Sequence, residues 1–137
     1  MRDIKPILLV EDDEVDAMTV KRAMREIKLS NPLQRAGNGE EALALLRDTQ
    51  REKPYLILLD LNMPKMNGIE FLRVVKQDKA LRRIPVVVLT TSKEDQDRLA
   101  SFELSVAGYM VKPVEYADFV EMMHTLKRYW SLSERPD

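Results

Sequence analysis

Acidic side chains follow two apolar runs of this sequence at the points where the runs end. Residues 55–59 lead into Asp60, and residues 7–10 lead into Glu11 and Asp12, with two more acids behind them. Apolar runs of this length indicate strands buried on both faces, as in a parallel sheet. Because the ligands of such sheets gather at the carboxyl ends of the strands, we expect Glu11, Asp12 and Asp60 to converge at one edge.

Carboxylates crowded in this way repel one another, so some must take up a proton or share a cation. A site built only from oxygen atoms favours Mg²⁺ or Ca²⁺ over softer metals. The competing interpretation is that acids after a strand cap the next helix, which suits either Asp13 or Glu14. It does not suit Asp60, which precedes Pro64 by four residues and starts no helix. The pattern therefore favours a metal site.

Two further strand ends carry side chains that suit phosphoryl transfer. Thr90 ends the apolar run 85–89, and Lys112 follows residues 108–111. In this set Asp60 would attack phosphorus, and a divalent ion would neutralise the acids. Lys112 would pair with a phosphoryl oxygen and Thr90 would donate a hydrogen bond to another. Taken singly, the lysine could be a solvated surface residue and the threonine a simple strand former.

Composition excludes several other classes of function. The chain has 137 residues, 45% of them hydrophobic and 33% charged, which predicts one soluble globular domain. Its net charge of −1 implies no bulk attraction to nucleic acid or to an anionic membrane. The absence of cysteine excludes disulfides, thiolate metal sites and thiol nucleophiles. With no apolar signal-like start and no run long enough to span a bilayer, we expect a cytoplasmic protein.

Strand-like and helix-like segments alternate along the chain, which predicts an α/β fold with a parallel sheet and helices on both faces. In the first helix Val15, Met18 and Arg22 are spaced between polar positions. The predicted strands are 7–10, 33–36, 55–60, 85–90 and 108–111, and the predicted helices are 14–27, 40–47, 69–77, 92–104 and 116–129.

Four segments together resemble the receiver domains of two-component response regulators. They carry an acidic pair after the first strand, Asp-x-x-Met-Pro-x-x-x-Gly from Asp60 to Gly68, Thr90 after the fourth strand and Lys-Pro after the fifth. The resemblance covers about residues 4–130 and implies a flavodoxin-like, doubly wound five-stranded sheet of order 2-1-3-4-5 with five helices. Residues 105–109 and 129–130 are similar to stand-alone receivers, including those paired with bacterial phytochrome kinases.

The resemblance also implies a role for each candidate site residue. Asp60 would accept a phosphoryl group from a sensor histidine kinase, in the presence of Mg²⁺ or Mn²⁺, and the Lys112–Pro113 peptide bond would be cis. The other implied roles are Asp12 as a direct metal ligand, Glu11 as a ligand through water, Asn62 as a main-chain carbonyl ligand, Thr90 as the switch hydroxyl, Tyr109 as the switch aromatic and Lys112 as the phosphoryl-binding lysine.

A receiver of this length implies a particular kind of output. We expect residues 1–137 to form a single receiver domain without an output domain, catalysing only its own phosphorylation and dephosphorylation. The signal would then leave by protein contact, without nucleic acid or membrane. We expect a homodimer through the predicted helix 92–104, the strand 108–111 and the last helix. In that helix Phe119, Met123, Leu126 and Trp130 should pack on the sheet, with Met122 and Tyr129 on a neighbouring face.

Three other functions compete with this interpretation. A metal-dependent phosphatase or phosphotransferase would have a second aspartate two residues after the nucleophile, where this chain has Asn62. A flavin or nucleotide binder would need a glycine-rich or hydroxyl-rich loop after the first strand, where this chain has four acids. A receiver-like scaffold that never takes phosphate would not need the complete acceptor set. His124, far in sequence from the other site residues, is expected to be an ordinary helix residue rather than a phosphoryl carrier.

Overall fold

The computed structural model of this chain describes residues 4–61, 68–90, 104 and 106–130. Five strands and four helices lie within these residues. The strands are β1 (Ile7–Val10), β2 (Leu33–Ala36), β3 (Leu56–Asp60), β4 (Val86–Thr90) and β5 (Gly108–Val111), and the helices are α1 (Glu14–Glu26), α2 (Gly39–Arg47), α3 (Gly68–Gln77) and α4 (Tyr116–Trp130). The bounds agree with the predicted ones to within one residue at each end. Most of the predicted helix 92–104 lies outside the described residues.

All five strands are parallel and form one sheet of order β2-β1-β3-β4-β5, which confirms the predicted strand order. Val10 pairs with Leu59, Asp60 with Leu89, and Thr90 with Val111. This register brings the carboxyl ends of β1, β3, β4 and β5 to the same edge of the sheet. The residues that follow those ends therefore lie close in space although they are far apart in sequence.

Two apolar clusters cover the two faces of the sheet. Successive side chains of a strand point to opposite faces, so Leu8 and Val10 pack on one side with α2 and α3. Ile7 and Leu9 pack on the other side with α1 and α4. All but one of the residues of β1 and β3 are buried, Asp60 alone being partly exposed. Burial of both faces explains why these strands have continuous apolar runs rather than alternating ones.

Helix α1 does not bury the face that carries Val15 and Met18. Its buried residues are Ala17, Val20, Ala23 and Met24, whereas Val15 and Met18 are 70% and 64% exposed. The helix begins directly after its N-cap Asp13, and this short connection to β1 determines which side meets the sheet. Small alanines on that side let the helix approach closely, and Val15 and Met18 are left facing outward.

Helix α4 packs on the sheet through the predicted stripe. Phe119, Met123 and Leu126 are buried, while the Trp130 side chain lies outside the described part of the chain. On the neighbouring face Met122 is half-buried and packs on the same cluster, but Tyr129 is 76% exposed. His124 is exposed, as expected for an ordinary helix residue. Within the described ranges, α4 included, no helix combines the length and apolar character needed to cross a bilayer.

Candidate functional site

Three carboxylates converge where β1 and β3 end. One side-chain oxygen from each of Glu11, Asp12 and Asp60 lies within 4.8 Å of the others. Glu11 is 1% exposed, Asp60 is half-buried and Asp12 is exposed, so the cluster opens to solvent on the Asp12 side. A cluster made only of carboxylate oxygens suits a hard divalent cation such as Mg²⁺ or Mn²⁺. Asn62, the remaining predicted ligand, lies outside the described residues.

Lys112 brings a positive charge from β5 into this cluster. Its Nζ lies 3.1 Å from Glu11 Oε1 and 3.8 Å from Asp16 Oδ2, and its side chain is 14% exposed. The Lys112 main-chain N–H donates to the Thr90 carbonyl at 2.6 Å, which ties the end of β5 to the end of β4. The sequence prediction missed Asp16, because its approach to Lys112 depends on the way α1 lies over the sheet.

The predicted cis peptide bond between Lys112 and Pro113 is wrong, since the described residues contain no cis bond. The trans form is the lower-energy isomer even before proline. In the trans chain the Lys112 ammonium already reaches Glu11, so the contact between β5 and the acidic cluster does not need the cis isomer.

Crowding at the site changes the acidity of its groups. Burial, together with a hydrogen bond to Asp60 and its negative charge, raises the pKa of Glu11 to about 8, against the opposing effect of the Lys112 ammonium. Burial alone would lower the pKa of Lys112, but the carboxylates of Glu11, Asp60 and Asp16 raise it above its ordinary value. The Lys112 ammonium therefore stays charged, while Glu11 keeps its proton to a higher pH than an ordinary glutamate does.

Asp13 has the structural role that the competing interpretation gave to an acid after β1. Its side chain accepts a hydrogen bond from the Asp16 main-chain N–H at 3.0 Å and so caps α1. The Asp13 N–H in turn lies 3.3 Å from Glu11 Oε2. Capping thus accounts for Asp13, whereas Glu11 and Asp12 remain with the carboxylate cluster.

Arg35 contacts the acidic loop, the segment of Glu11 and Asp12 that follows β1. This contact was not predicted from the sequence. Arg35 lies on the edge strand β2, where its Nε donates to the Glu11 carbonyl at 3.1 Å and its Nη2 donates to the Asp12 carbonyl at 3.2 Å. Only the parallel pairing of β2 with β1, with Arg35 opposite Leu9, brings the guanidinium to this loop. No local sequence pattern indicates such a contact.

Close packing around Gly68 explains why the Asp-x-x-Met-Pro-x-x-x-Gly pattern ends in glycine. A Cβ at this residue would lie 2.4 Å from Leu61 Cα and 2.8 Å from the Asp60 carbonyl oxygen. The Gly68 N–H donates to the Leu61 carbonyl at 2.9 Å. The start of α3 therefore packs directly against the main chain that carries Asp60, and only glycine leaves room for that approach.

Thr90 and Tyr109 lie on adjacent strands next to the cluster. Thr90, at the end of β4, is 1% exposed, and Tyr109 on β5 pairs with Val88. Tyr109 is half-buried and packs on the apolar cluster that covers the α2 and α3 face. Strand alternation puts Thr90 and Tyr109 on that same face of the sheet.

Comparison with known proteins identifies the family to which this site belongs. The pattern of the response regulator receiver domain matches residues 7–124 of the chain. This chain belongs to the response regulator receiver domain family. The receiver is 39% identical over 130 residues to the response regulator Rcp1 of Synechocystis sp., a match that covers 92% of this chain and 88% of Rcp1. The family consists of signalling proteins rather than enzymes with a separate substrate.

Solved structures of receivers share this fold over almost the whole chain. The crystal structure of the phosphorylated cyanobacterial phytochrome response regulator RcpA matches with a TM-score of 0.85 at 34% identity, covering 94% of this chain and 95% of RcpA. The Mn²⁺-bound form of Rcp1 matches with a TM-score of 0.81 at 39% identity, covering 92% and 94%. The bacteriophytochrome response regulator RtBRR matches with a TM-score of 0.81 at 42% identity, covering 98% and 85%.

Proposed function

We propose that this receiver accepts a phosphoryl group on Asp60 from the phosphohistidine of a sensor kinase that it meets in the cytoplasm. The observation that carries the proposal is the meeting of the Asp60 carboxylate with Glu11 and Asp12 at the strand end that also receives Lys112. The phosphorylated state of RcpA, which has the same fold, supports it. We propose further that the chain catalyses only its own phosphorylation and dephosphorylation.

In the proposed reaction an Asp60 oxygen attacks phosphorus, a P–O bond forms, and the P–N bond of the phosphohistidine breaks. The leaving imidazole nitrogen takes up a proton from solvent. Lys112 would move its ammonium from Glu11 toward a phosphoryl oxygen, which neutralises part of the charge added at the site. The Thr90 hydroxyl would donate to another phosphoryl oxygen. Hydrolysis of the acyl phosphate by water returns Asp60 to its starting form.

A divalent ion fits this site because the three carboxylates supply only oxygen ligands. The Lys112 ammonium alone does not offset the burial of the Glu11 carboxylate and its repulsion by Asp60. Asp12 and Asp60 would bind the ion directly, Glu11 through water, and Asn62 through its main-chain carbonyl. When bound, Mg²⁺ or Mn²⁺ would neutralise the acids and stabilise charge on the transferred phosphoryl group. The Mn²⁺-bound form of Rcp1 supports this choice of metals.

Incubation with acetyl phosphate and Mg²⁺, followed by intact mass measurement, tests the reaction and its metal dependence together. We expect the protein to gain the mass of one phosphoryl group, and we expect excess chelator to abolish the gain. Equal labelling in chelator would contradict the metal assignment. The absence of labelling with Mg²⁺ or Mn²⁺, at several concentrations of phosphodonor, would favour the scaffold that never takes phosphate.

The relatives support one class of kinase as the phosphoryl donor. RcpA and RtBRR are response regulators of phytochromes, so we propose a phytochrome-type kinase as the donor. The exposed Met18 and Val15 of α1, together with the fully exposed Val114 beyond Lys112, offer apolar contacts beside the site. Met18→Glu should therefore slow transfer from the kinase and leave labelling by acetyl phosphate unchanged. An equal loss with both donors would place the defect in the receiver itself.

We propose that phosphorylation changes the output through Thr90 and Tyr109. A phosphoryl group on Asp60 would draw the Thr90 hydroxyl toward it, and Tyr109 would move into the space released, as a shift between two populations. Thr90→Ala should then accept phosphate but lose the response of its partner. A normal response in that variant would refute the coupling.

We propose that the receiver signals by protein contact, as a homodimer formed through residues 92–104, β5 and α4. The exposed Tyr129 on α4 and the 38% exposed Val111 on β5 support a contact there, because aromatic and apolar side chains are enriched in interface cores. Sedimentation at tens of micromolar, with and without phosphorylation, tests it. A monomer in both states would leave only a heterologous partner for this surface.

A further inference from the structure

Arg35 connects the edge strand β2 to the loop that carries the acidic pair. Its Nε and Nη2 donate to the main-chain carbonyls of Glu11 and Asp12 at 3.1 and 3.2 Å. The last contact of the regular strand pairing at this point is the Glu11 N–H, which donates to the Ala36 carbonyl at 2.9 Å. Beyond Glu11 the Arg35 guanidinium therefore takes the place of the neighbouring strand as the partner of the loop.

Two adjacent carbonyls held by one planar group restrict the loop more than two separate bonds would. The guanidinium presents its donors in a rigid fork, so both carbonyls must keep their relative orientation to satisfy it. The direction of a carbonyl is coupled to the backbone angles of its residue and the next, and these angles direct the side chains. Holding the Glu11 and Asp12 carbonyls thus constrains where the two carboxylates lie relative to Asp60.

The charge of Arg35 makes its role unusual, because it acts against the metal. A guanidinium bound to the main chain of two metal-site residues repels a divalent cation at that site by its charge. If Arg35 contributed only charge, its removal would tighten metal binding. If it contributes the geometry of the loop, its removal would weaken metal binding despite the more negative site. The two roles therefore differ in the sign of a measurable effect.

We propose that Arg35 is a positioning residue of the metal site, holding the Glu11 and Asp12 main chain so that both carboxylates face Asp60. This inference rests on the proposed function, since it takes the carboxylate cluster as the site of Mg²⁺ or Mn²⁺. Arg35 contacts the carbonyls and not the ion, and it acts through the two acids. Partners that orient metal ligands in this way typically change affinity by about 10- to 100-fold.

Isothermal titration of the apo protein with Mg²⁺ alone, and separately with Mn²⁺ alone, tests the proposal. In Arg35→Met, which removes both the fork and the charge, we expect the dissociation constant to rise about 10-fold or more. Arg35→Lys keeps the charge but can reach only one carbonyl at a time, so we expect a smaller rise. The matched control is Lys21→Met on the exposed side of α1, which removes one positive charge without a contact to the loop. Its dissociation constant should stay the same or fall slightly.

Two further readouts separate positioning from a general loss of stability. Thermal unfolding in chelator should shift by a similar small amount in Arg35→Met and Arg35→Lys, while their metal affinities differ. At saturating Mg²⁺ the maximal rate of labelling by acetyl phosphate should be close to wild type in Arg35→Met, with the half-saturating Mg²⁺ concentration raised in proportion to the dissociation constant.

The results distinguish failure of the positioning role from failure of the proposed function. Unchanged or tighter metal binding in Arg35→Met, with the wild type binding normally, overturns the positioning role and leaves the proposed function intact. A wild type that binds neither ion and takes no phosphoryl group overturns the proposed function and the inference with it. If Arg35→Met does not fold, equal affinities of Arg35→Lys and wild type would still overturn the proposal.

Discussion

The two faces of the sheet and its carboxyl edge are built from opposite kinds of side chain. Each face is a continuous apolar cluster in which the residues from β1, β3 and β4 are at most 2% exposed. The edge holds three carboxylates whose oxygens lie within 4.8 Å of one another, together with the Lys112 ammonium. The side chains on the two faces of these strands thus stabilise the fold, whereas the carboxylates that follow the strand ends repel one another.

This difference teaches how a small domain can hold a site that opposes folding. The apolar faces position the strand ends, and the strand ends then hold the acids together although the charged form of Glu11 is disfavoured there. The raised pKa of Glu11 is the sign of that conflict. We call the two apolar faces and the helices packed on them the structural side. Substitutions on the structural side should change the free energy of unfolding. Substitutions at the edge should change metal binding and phosphoryl transfer with little effect on the free energy of unfolding.

The largest expected effect comes from Gly68, where the structural side and the edge meet. Gly68→Ala places a Cβ 2.4 Å from Leu61 Cα, so the main chain beside Asp60 or the start of α3 must move. We expect a loss of about 3 kcal/mol in the free energy of unfolding, at the upper end of typical overpacking. Urea denaturation measures it.

Gly37→Ala is the matched control for that substitution. A Cβ at Gly37 would meet its nearest atom, Glu41 Oε2, at an ordinary 3.5 Å. It should therefore cost well under the loss at Gly68. Similar losses in the two variants would contradict the close approach to Leu61 as the reason for glycine at residue 68.

A smaller effect is expected at Lys127, a polar residue buried away from the edge. Its Nζ donates to the Ile27 carbonyl at 2.8 Å, and its side chain is 7% exposed. Ile27 is the C-cap that follows α1, so this bond joins the C-terminal ends of α1 and α4. Lys127→Met should lower the free energy of unfolding by about 1–3 kcal/mol, because the buried carbonyl loses a partner.

The control on the same helix is Arg128→Met, which removes an exposed charge and should change stability by less than about 0.5 kcal/mol. Metal affinity should be unchanged in both variants, since neither residue is near the acids. A loss of Mg²⁺ binding in Lys127→Met would contradict the separation between the structural side and the edge.

The effect expected at Glu11 is gradual, because it depends on pH. Its pKa is raised from 4.5 to about 8 in the folded chain, so between these values the folded state binds more protons than the unfolded state. The free energy of unfolding of the metal-free protein should therefore fall as pH rises through that window, by at most about 1.4 kcal/mol for each pH unit. Glu11→Gln cannot titrate and should show a flatter profile.

Saturating Mg²⁺ should flatten the wild-type profile as well, because the cation favours the carboxylate over the protonated acid. Chemical denaturation at pH 5, 6.5 and 8, in chelator and in Mg²⁺, gives both comparisons. A wild-type profile that matches Glu11→Gln in chelator would contradict the conflict inferred at the edge.

The edge was easier to predict from sequence than its supports. Continuous apolar runs mark the strands, and Glu11, Asp12, Asp60, Thr90 and Lys112 each follow such a run directly, so sheet topology alone brings them together. The roles given to these residues, and the helix 92–104, remain predictions. The prediction of a cis bond between Lys112 and Pro113 was wrong. It rested on the family resemblance alone, and no residue pattern in this chain indicated it.

The supports depend on packing between segments that are distant in sequence. Arg35 reaches the acidic loop only through the register of β2 on β1, and Lys127 reaches Ile27 only when α1 and α4 lie side by side. In α1 the apolar residues named from the sequence, Val15 and Met18, face outward, while Ala17, Val20, Ala23 and Met24 are buried. Lone charged residues such as Arg35 and Lys127 carry no periodic signal that reveals such contacts.

Phosphoryl transfer to Asp60 is the central claim, and intact mass after incubation with acetyl phosphate and Mg²⁺ tests it most directly. Wild type and Asp48→Asn, which changes a partly exposed aspartate at the end of α2, should each gain one phosphoryl group. Asp60→Asn, which keeps the shape and removes the nucleophile, should gain none. Undiminished labelling of Asp60→Asn would contradict the account.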